Sequence, residues 1–138
     1  MARPAVVPYP KHVTRVLLID DDDNLRESFQ IFMRQAGFDV ACAEDGLKGL
    51  AKAAVFLPHV IIVDLMMPNL NGFDVIHRLQ ATDLSRVPVI VMTGFSDTAN
   101  AALVRREPNV LDSIAKPVDY VLLAERLRSL SLARADSP

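Results

Sequence analysis

The chain has 138 residues, 51% hydrophobic and 23% charged, with 15 Lys+Arg against 17 Asp+Glu for a net charge of −2. That length suits one domain and excludes a two-domain enzyme, while the apolar content excludes a disordered polymer. Without a basic excess no nucleic-acid grip is expected, the single Cys42 excludes an internal disulfide, and no apolar run approaches the roughly 18 residues of a membrane span.

Residues 1–12 carry Pro4, Pro8 and Pro10, which read as a flexible N-terminal arm because proline fixes φ and removes amide donors. No apolar signal core follows Met1, so a cytoplasmic soluble protein is expected. The domain proper is read as residues 13–130, with 131–138 as a short polar tail.

Between these ends two periodicities alternate. Val16–Ile19, Val60–Val63 and Val87–Met92 are continuous, β-branched-rich runs, as expected of strands buried on both faces of a parallel sheet. Phe38–Ala43 and Val110–Ala115 are interrupted by Asp39, Asp112 and Ser113 and read as edge strands. Helical stripes fill the gaps: Leu25, Phe29, Phe32, Met33 and Ala36, ended by Gly37; then Leu47, Leu50, Ala51, Ala54 and Val55, ended before Pro58. Phe73, Ile76 and Leu79 form a third stripe, and Ala99–Arg106 a shorter helix closed by Pro108. Tyr120, Leu123, Leu127 and Leu130 form the last. The order is (βα) five times, an α/β fold. Asp23 or Asn24 is expected to cap the first helix, and Cys42 to be a small buried hydrophobe.

In open α/β sheets ligands bind beyond the carboxyl ends of the strands. Those positions hold Asp20 to Asp23 after the first run, Asp64 after the third, Thr93 after the fourth and Lys116 with Pro117 after the fifth. Singly, each has a structural explanation as a cap, a turn or a surface residue. Together they place carboxylates, a hydroxyl and an ammonium on one rim. Clustered carboxylates resist shared ionisation, and a hard divalent cation with oxygen ligands relieves them. Such a rim can hold a phosphoryl group while a carboxylate attacks phosphorus, the cation and the lysine neutralising charge on the phosphoryl oxygens.

Three segments carry a resemblance: Val16-Leu-Leu-Ile-Asp-Asp-Asp-Asp-Asn-Leu-Arg26, Pro58-His-Val-Ile-Ile-Val-Asp-Leu-Met-Met-Pro-Asn-Leu-Asn-Gly72, and Pro88-Val-Ile-Val-Met-Thr-Gly94 with Lys116-Pro117. With them, residues 13–130 resemble the receiver domain of bacterial two-component response regulators. The resemblance implies a flavodoxin-like (βα)5 doubly wound sandwich, a five-stranded parallel sheet of order 2-1-3-4-5 with helices on both faces. It implies a phosphorylation-controlled switch rather than a classical enzyme, with Asp64 as phosphoacceptor and Mg²⁺ (or Mn²⁺) held by Asp20, Asp21, Asp64 and the Met66 carbonyl. Thr93 would be the switch hydroxyl and Lys116 the phosphoryl-binding cation. Pro68 and Gly72 would shape the loop into the third helix, and Pro117 would follow a cis peptide.

The implied partners are a histidine kinase or phosphotransfer protein and a downstream protein target, with a homodimer left open; from the missing basic excess direct DNA binding is not expected, and from the short apolar runs neither is a membrane. Two features depart from the family: Ser113 stands where an aromatic ring usually responds to the hydroxyl, and Arg106-Glu107-Pro108-Asn109-Val110 stands where a Gly-Ala pair usually precedes strand 5. Signalling is therefore expected to run through the loop Gly94–Asn100 and helix 4, with Phe95 beside the site. The alternative is a receiver-fold binding module acting without phosphorylation. A haloacid-dehalogenase-type phosphatase is disfavoured because Met66 occupies the position of its second aspartate, and no P-loop motif is present.

Overall fold

The computed structural model describes residues 13–94 and 98–135, the side chains of Thr98 and of 131–135 excepted. Five strands alternate with five helices: β1 (Arg15–Ile19), α1 (Asp23–Gln35), β2 (Asp39–Ala43), α2 (Gly46–Phe56), β3 (Val60–Asp64), α3 (Gly72–Gln80), β4 (Val89–Thr93), α4 (Thr98–Val104), β5 (Val110–Ala115) and α5 (Tyr120–Ala135). The strands form one parallel sheet of order β2-β1-β3-β4-β5. The two interrupted runs are its edges, and the three continuous runs lie inside.

Strand alternation splits the core in two. Leu17, Ile19, Ile61, Val63, Val89 and Val91 face α2 and α3. Val16, Leu18, Val60, Ile62, Ile90 and Met92 face α1 and α5. Both faces are covered, so β1, β3 and β4 have no solvent side to leave polar, and this produces their unbroken apolar sequence.

Four local features differ from the sequence expectation. Asp22, rather than Asp23 or Asn24, caps α1, its carboxylate accepting from the Asn24 and Leu25 amides. Cys42 is only partly buried, because β2 is an edge strand; burial nonetheless pushes its thiol pKa up. Helix α5 continues to Ala135, into the stretch read as tail. Helix α2 buries a different face. Gly46, Gly49 and Ala53 turn inward, while Leu47 and Val55 are exposed. The reason is contact distance: a Cβ on Gly49 would meet Ile19 side-chain atoms at 2.5–2.9 Å, so small residues let the helix lie close to β1.

Strand β5 also carries a register shift. Val89 pairs with Val110 but Ile90 pairs with Asp112, which leaves Leu111 as an extra residue on the edge. Beyond it the Asp112 carboxylate is buried and clamped by Arg105 at 3.0 Å and Arg126 at 2.5 Å.

Candidate functional site

The carboxyl ends of β1, β3, β4 and β5 converge. Asp20 follows β1 directly and is fully buried; its N–H donates to the Ala43 carbonyl at 3.1 Å. Asp64 is the last residue of β3, one position further into the strand than the run Val60–Val63 suggests, and is almost fully buried. Its Oδ1 accepts from the Met66 amide at 3.1 Å, and its Oδ2 accepts from Lys116 Nζ at 3.1 Å. Lys116 Nζ also lies 3.0 Å from Asp20 Oδ2, an ion pair without an aligned hydrogen bond, so that buried oxygen has no hydrogen-bond partner among the described residues.

Carboxylate oxygens of Asp20, Asp21 and Asp64 all come within 4.8 Å of one another, two of them buried and Asp21 exposed. This donor set fits a hard divalent cation: all its ligands are oxygens, one is an orphaned buried carboxylate oxygen, and one side is open to water. The pKa of Asp64 is raised, first by burial and then by the Asp20 charge, which together outweigh the Lys116 hydrogen bond. Burial works against the charge on Lys116, yet its pairing with the Asp20 and Asp64 carboxylates holds its pKa above the usual lysine value.

The remaining predicted residues line the same rim. Thr93 ends β4, is buried, and its hydroxyl donates a long 3.4 Å bond to the Ile114 carbonyl. Lys116 is carried by β5, whose end is tied to β4 by the Lys116 amide donating to the Thr93 carbonyl at 2.9 Å. The Lys116–Pro117 peptide is cis. Met66 is more than half exposed and Pro68 is exposed, on the loop between β3 and α3. Gly72 closes that loop, its amide donating to the Leu65 carbonyl at 2.9 Å. A Cβ there would lie 2.7 Å from both the Asp64 carbonyl oxygen and Leu65 Cα, so the loop returns against the Asp64 backbone only because residue 72 has no side chain. Ser113 is partly buried on β5, paired in register with Val91. Phe95 and part of the Gly94–Asn100 loop lie outside the described residues.

Sequence reasoning missed three contributors. Asp22 lay among four interchangeable aspartates. Arg26 was given no role beyond closing the first resembling segment, yet its Nη1 donates to the Asp20 carbonyl at 2.7 Å. Asp112 was taken only as an interruption of an edge strand; its arginine partners lie seven and fourteen residues away, beyond any local signal.

Residues 16–128 match the family described as the response regulator receiver domain. The DNA-binding response regulator MtrA of Mycobacterium tuberculosis is 36% identical over 124 residues, covering 90% of this chain and 53% of that protein. The transcriptional regulatory protein CseB of Streptomyces coelicolor is 34% identical over 117 residues, covering 85% of this chain and 49% of that protein. The chain thus spans about half the length of the curated relatives it matches. Among solved structures, the receiver domain of the Francisella response regulator 1452 aligns with a TM-score of 0.79 at 26% identity, covering 88% of this chain and 98% of that one. A receiver domain protein from Clostridium thermocellum aligns with a TM-score of 0.81 at 24% identity, covering 89% and 98%, a likeness of fold.

The relatives' names overturn one expectation. The absence of direct DNA binding was argued from the missing basic excess, but relatives that align along most of this chain are named as DNA-binding and transcriptional regulators. Charge counted over a stretch half their length does not speak for the protein in which such a domain works. As for the membrane, no helix among the described residues is long and apolar enough to cross one.

Proposed function

The chain belongs to the response regulator receiver domain family, a family of signalling domains, and from that premise we propose that it is a phosphorylation-controlled switch with Asp64 as the phosphoacceptor. The observation that carries this reading is the approach of Asp20, Asp21 and Asp64 oxygens to within 4.8 Å, with Lys116 Nζ bridging the two buried carboxylates. Asp20, Asp21, Asp64 and the Met66 carbonyl would hold Mg²⁺, which when bound supplies charge neutralisation on the phosphoryl oxygens.

The donor is a phosphohistidine of a partner histidine kinase. An Asp64 carboxylate oxygen attacks phosphorus; the new P–O bond forms as the bond to the donor nitrogen breaks and the imidazole leaves. Lys116, already hydrogen-bonded to Asp64, shifts onto a phosphoryl oxygen as charge develops there. Hydrolysis later breaks the same P–O bond, releases inorganic phosphate and restores the carboxylate.

The Thr93 hydroxyl supplies the readout. Its present acceptor is a neutral carbonyl at 3.4 Å, and a phosphoryl oxygen on Asp64 is a charged and stronger one. Phosphorylation therefore pulls the Thr93 hydroxyl away from the Ile114 carbonyl of β5. Since the relatives are named as a DNA-binding response regulator and a transcriptional regulatory protein, control of transcription is the output class we assign.

Amide NMR tests the site. Mg²⁺ should move the signals of Asp20, Asp21, Asp64 and Met66, and beryllofluoride added after it should move those of Thr93 and Lys116. Asp64→Asn should lose the beryllofluoride response. A beryllofluoride response that persists in Asp64→Asn would overturn the assignment.

A further inference from the structure

The exposed Asp21 carboxylate makes no hydrogen bond or ion pair of its own among the described residues. Its direction is set through its backbone instead, and both peptide planes that flank it are pinned. The plane after it is held by the Asp22 N–H, which donates to Asp20 Oδ1 at 2.8 Å. The plane before it is held by the Asp20 carbonyl, which accepts from Arg26 Nη1 at 2.7 Å. Asp20 is a fixed anchor for the first of these, tied to Ala43 and to Lys116.

Arg26 is equally well anchored. Its amide donates to the Asp22 carbonyl at 3.0 Å in the first turn of α1, its other terminal nitrogen pairs with Asp23, and its side chain is only 15% exposed. A pair with an exposed aspartate three residues earlier is common on helix surfaces and contributes little. The bond to the Asp20 carbonyl is a different matter, since it closes a ring of contacts from α1 back to the residue that follows β1.

We propose that Arg26 is a positioning residue for cation binding: by pinning the Asp20 carbonyl it fixes the Asp20–Asp21 peptide plane and so aims the Asp21 carboxylate at Asp20 and Asp64. The inference rests on the reading of those three aspartates as an Mg²⁺ site. It is separable from a pure charge effect by sign. A guanidinium beside a cation site repels the cation, so its removal on charge grounds alone tightens binding. Loss of positioning weakens binding, because an unheld ligand must be ordered when the metal arrives.

The experiment is Mg²⁺ titration calorimetry of the metal-free protein and three variants. Arg26→Met, which keeps the apolar stem, should weaken Mg²⁺ on the order of tenfold. Arg26→Lys, whose ammonium still reaches a carbonyl, should recover part of the affinity and keeps the test open if Arg26→Met folds poorly. Asp23→Asn removes only the surface ion pair and should change affinity far less than Arg26→Met does. Labelling by acetyl phosphate should need more Mg²⁺ in Arg26→Met yet approach the wild-type rate at saturation. Wild-type binding with Arg26→Met and Arg26→Lys as tight or tighter overturns the inference alone. A wild-type protein that binds no Mg²⁺ overturns the metal-site reading, and this inference with it.

Discussion

Lys116 Nζ donates to Asp64 Oδ2 at 3.1 Å, joining the end of the edge strand β5 to the end of the central strand β3 across 52 residues of sequence. On the proposed function this ammonium is the counter-charge for a phosphoryl oxygen on Asp64. Lys116→Met should therefore separate two effects. Labelling by acetyl phosphate at saturating Mg²⁺ should fall about 100-fold, the usual loss for one donor to a developing oxyanion. Mg²⁺ itself should bind at least as tightly, since a competing cation is gone. Labelling rates measured across a Mg²⁺ series check both.

Asp64 gives a pH dependence with a definite sign. Its folded-state pKa is raised above the ordinary value of 3.8, chiefly by burial and by Asp20. A raised pKa stabilises the fold fully below the unfolded value, and that contribution is lost as pH climbs through the folded one. At neutral pH the ionised Asp64 thus weakens the metal-free fold. Asp64→Asn should raise the urea midpoint in EDTA at pH 7, and the gain should vanish as pH falls below about 4.

The same rule applied to Lys116 gives an alkaline limit. Its folded pKa lies above 10.5, so the stability it contributes is complete below that value and is lost as pH rises through the folded pKa. Urea midpoints of the metal-free protein measured from pH 9 upward should fall more steeply in wild type than in Lys116→Met.

Gly72 and Gly37 form a contrasting pair. At Gly72 a methyl group would meet backbone atoms of Asp64 and Leu65 at 2.7 Å, and backbone does not give way. Gly72→Ala should cost roughly 1–3 kcal/mol or more and slow labelling as well, since the displaced backbone carries Asp64, the proposed phosphoacceptor. At Gly37, φ is +98° with nothing within 4 Å of a Cβ, so Gly37→Ala should cost only conformational strain, about 1–2 kcal/mol, with labelling unaffected. Chemical denaturation beside labelling rates distinguishes the two.

The Asp112 clamp predicts an asymmetry. The carboxylate is buried while Arg105 and Arg126 are each about half exposed. Asp112→Asn lets both arginines return to water and should cost about 1 kcal/mol. Removing both arginines strands a buried charge and should cost about 3–5 kcal/mol. Equal costs in urea unfolding would mean that the carboxylate finds other partners.

Much of this was legible in the sequence, for identifiable reasons. Strands buried on both faces leave continuous apolar runs, so β1, β3 and β4 stood out, and the strand-end rule then located Asp20, Asp64, Thr93 and Lys116. What was not legible depends on close approach or distant partners. Glycine carries no hydrophobic signal, so the inward face of α2 was misassigned to Leu47 and Val55. Four adjacent aspartates gave no way to single out Asp22 as the cap. The Leu111 register shift that turns Asp112 into the core has no local signature. An arginine on a helix reads as surface, and only the fold shows Arg26 reaching back to the Asp20 carbonyl.

The central claim is that Asp64 is the group that carries phosphate. The most direct measurement is intact-mass spectrometry with peptide mapping after incubation with acetyl phosphate, with and without Mg²⁺. The account predicts a single Mg²⁺-dependent phosphoryl adduct on the peptide containing Asp64, absent from Asp64→Asn. No adduct with Mg²⁺ present, or an adduct that persists in Asp64→Asn, would contradict it.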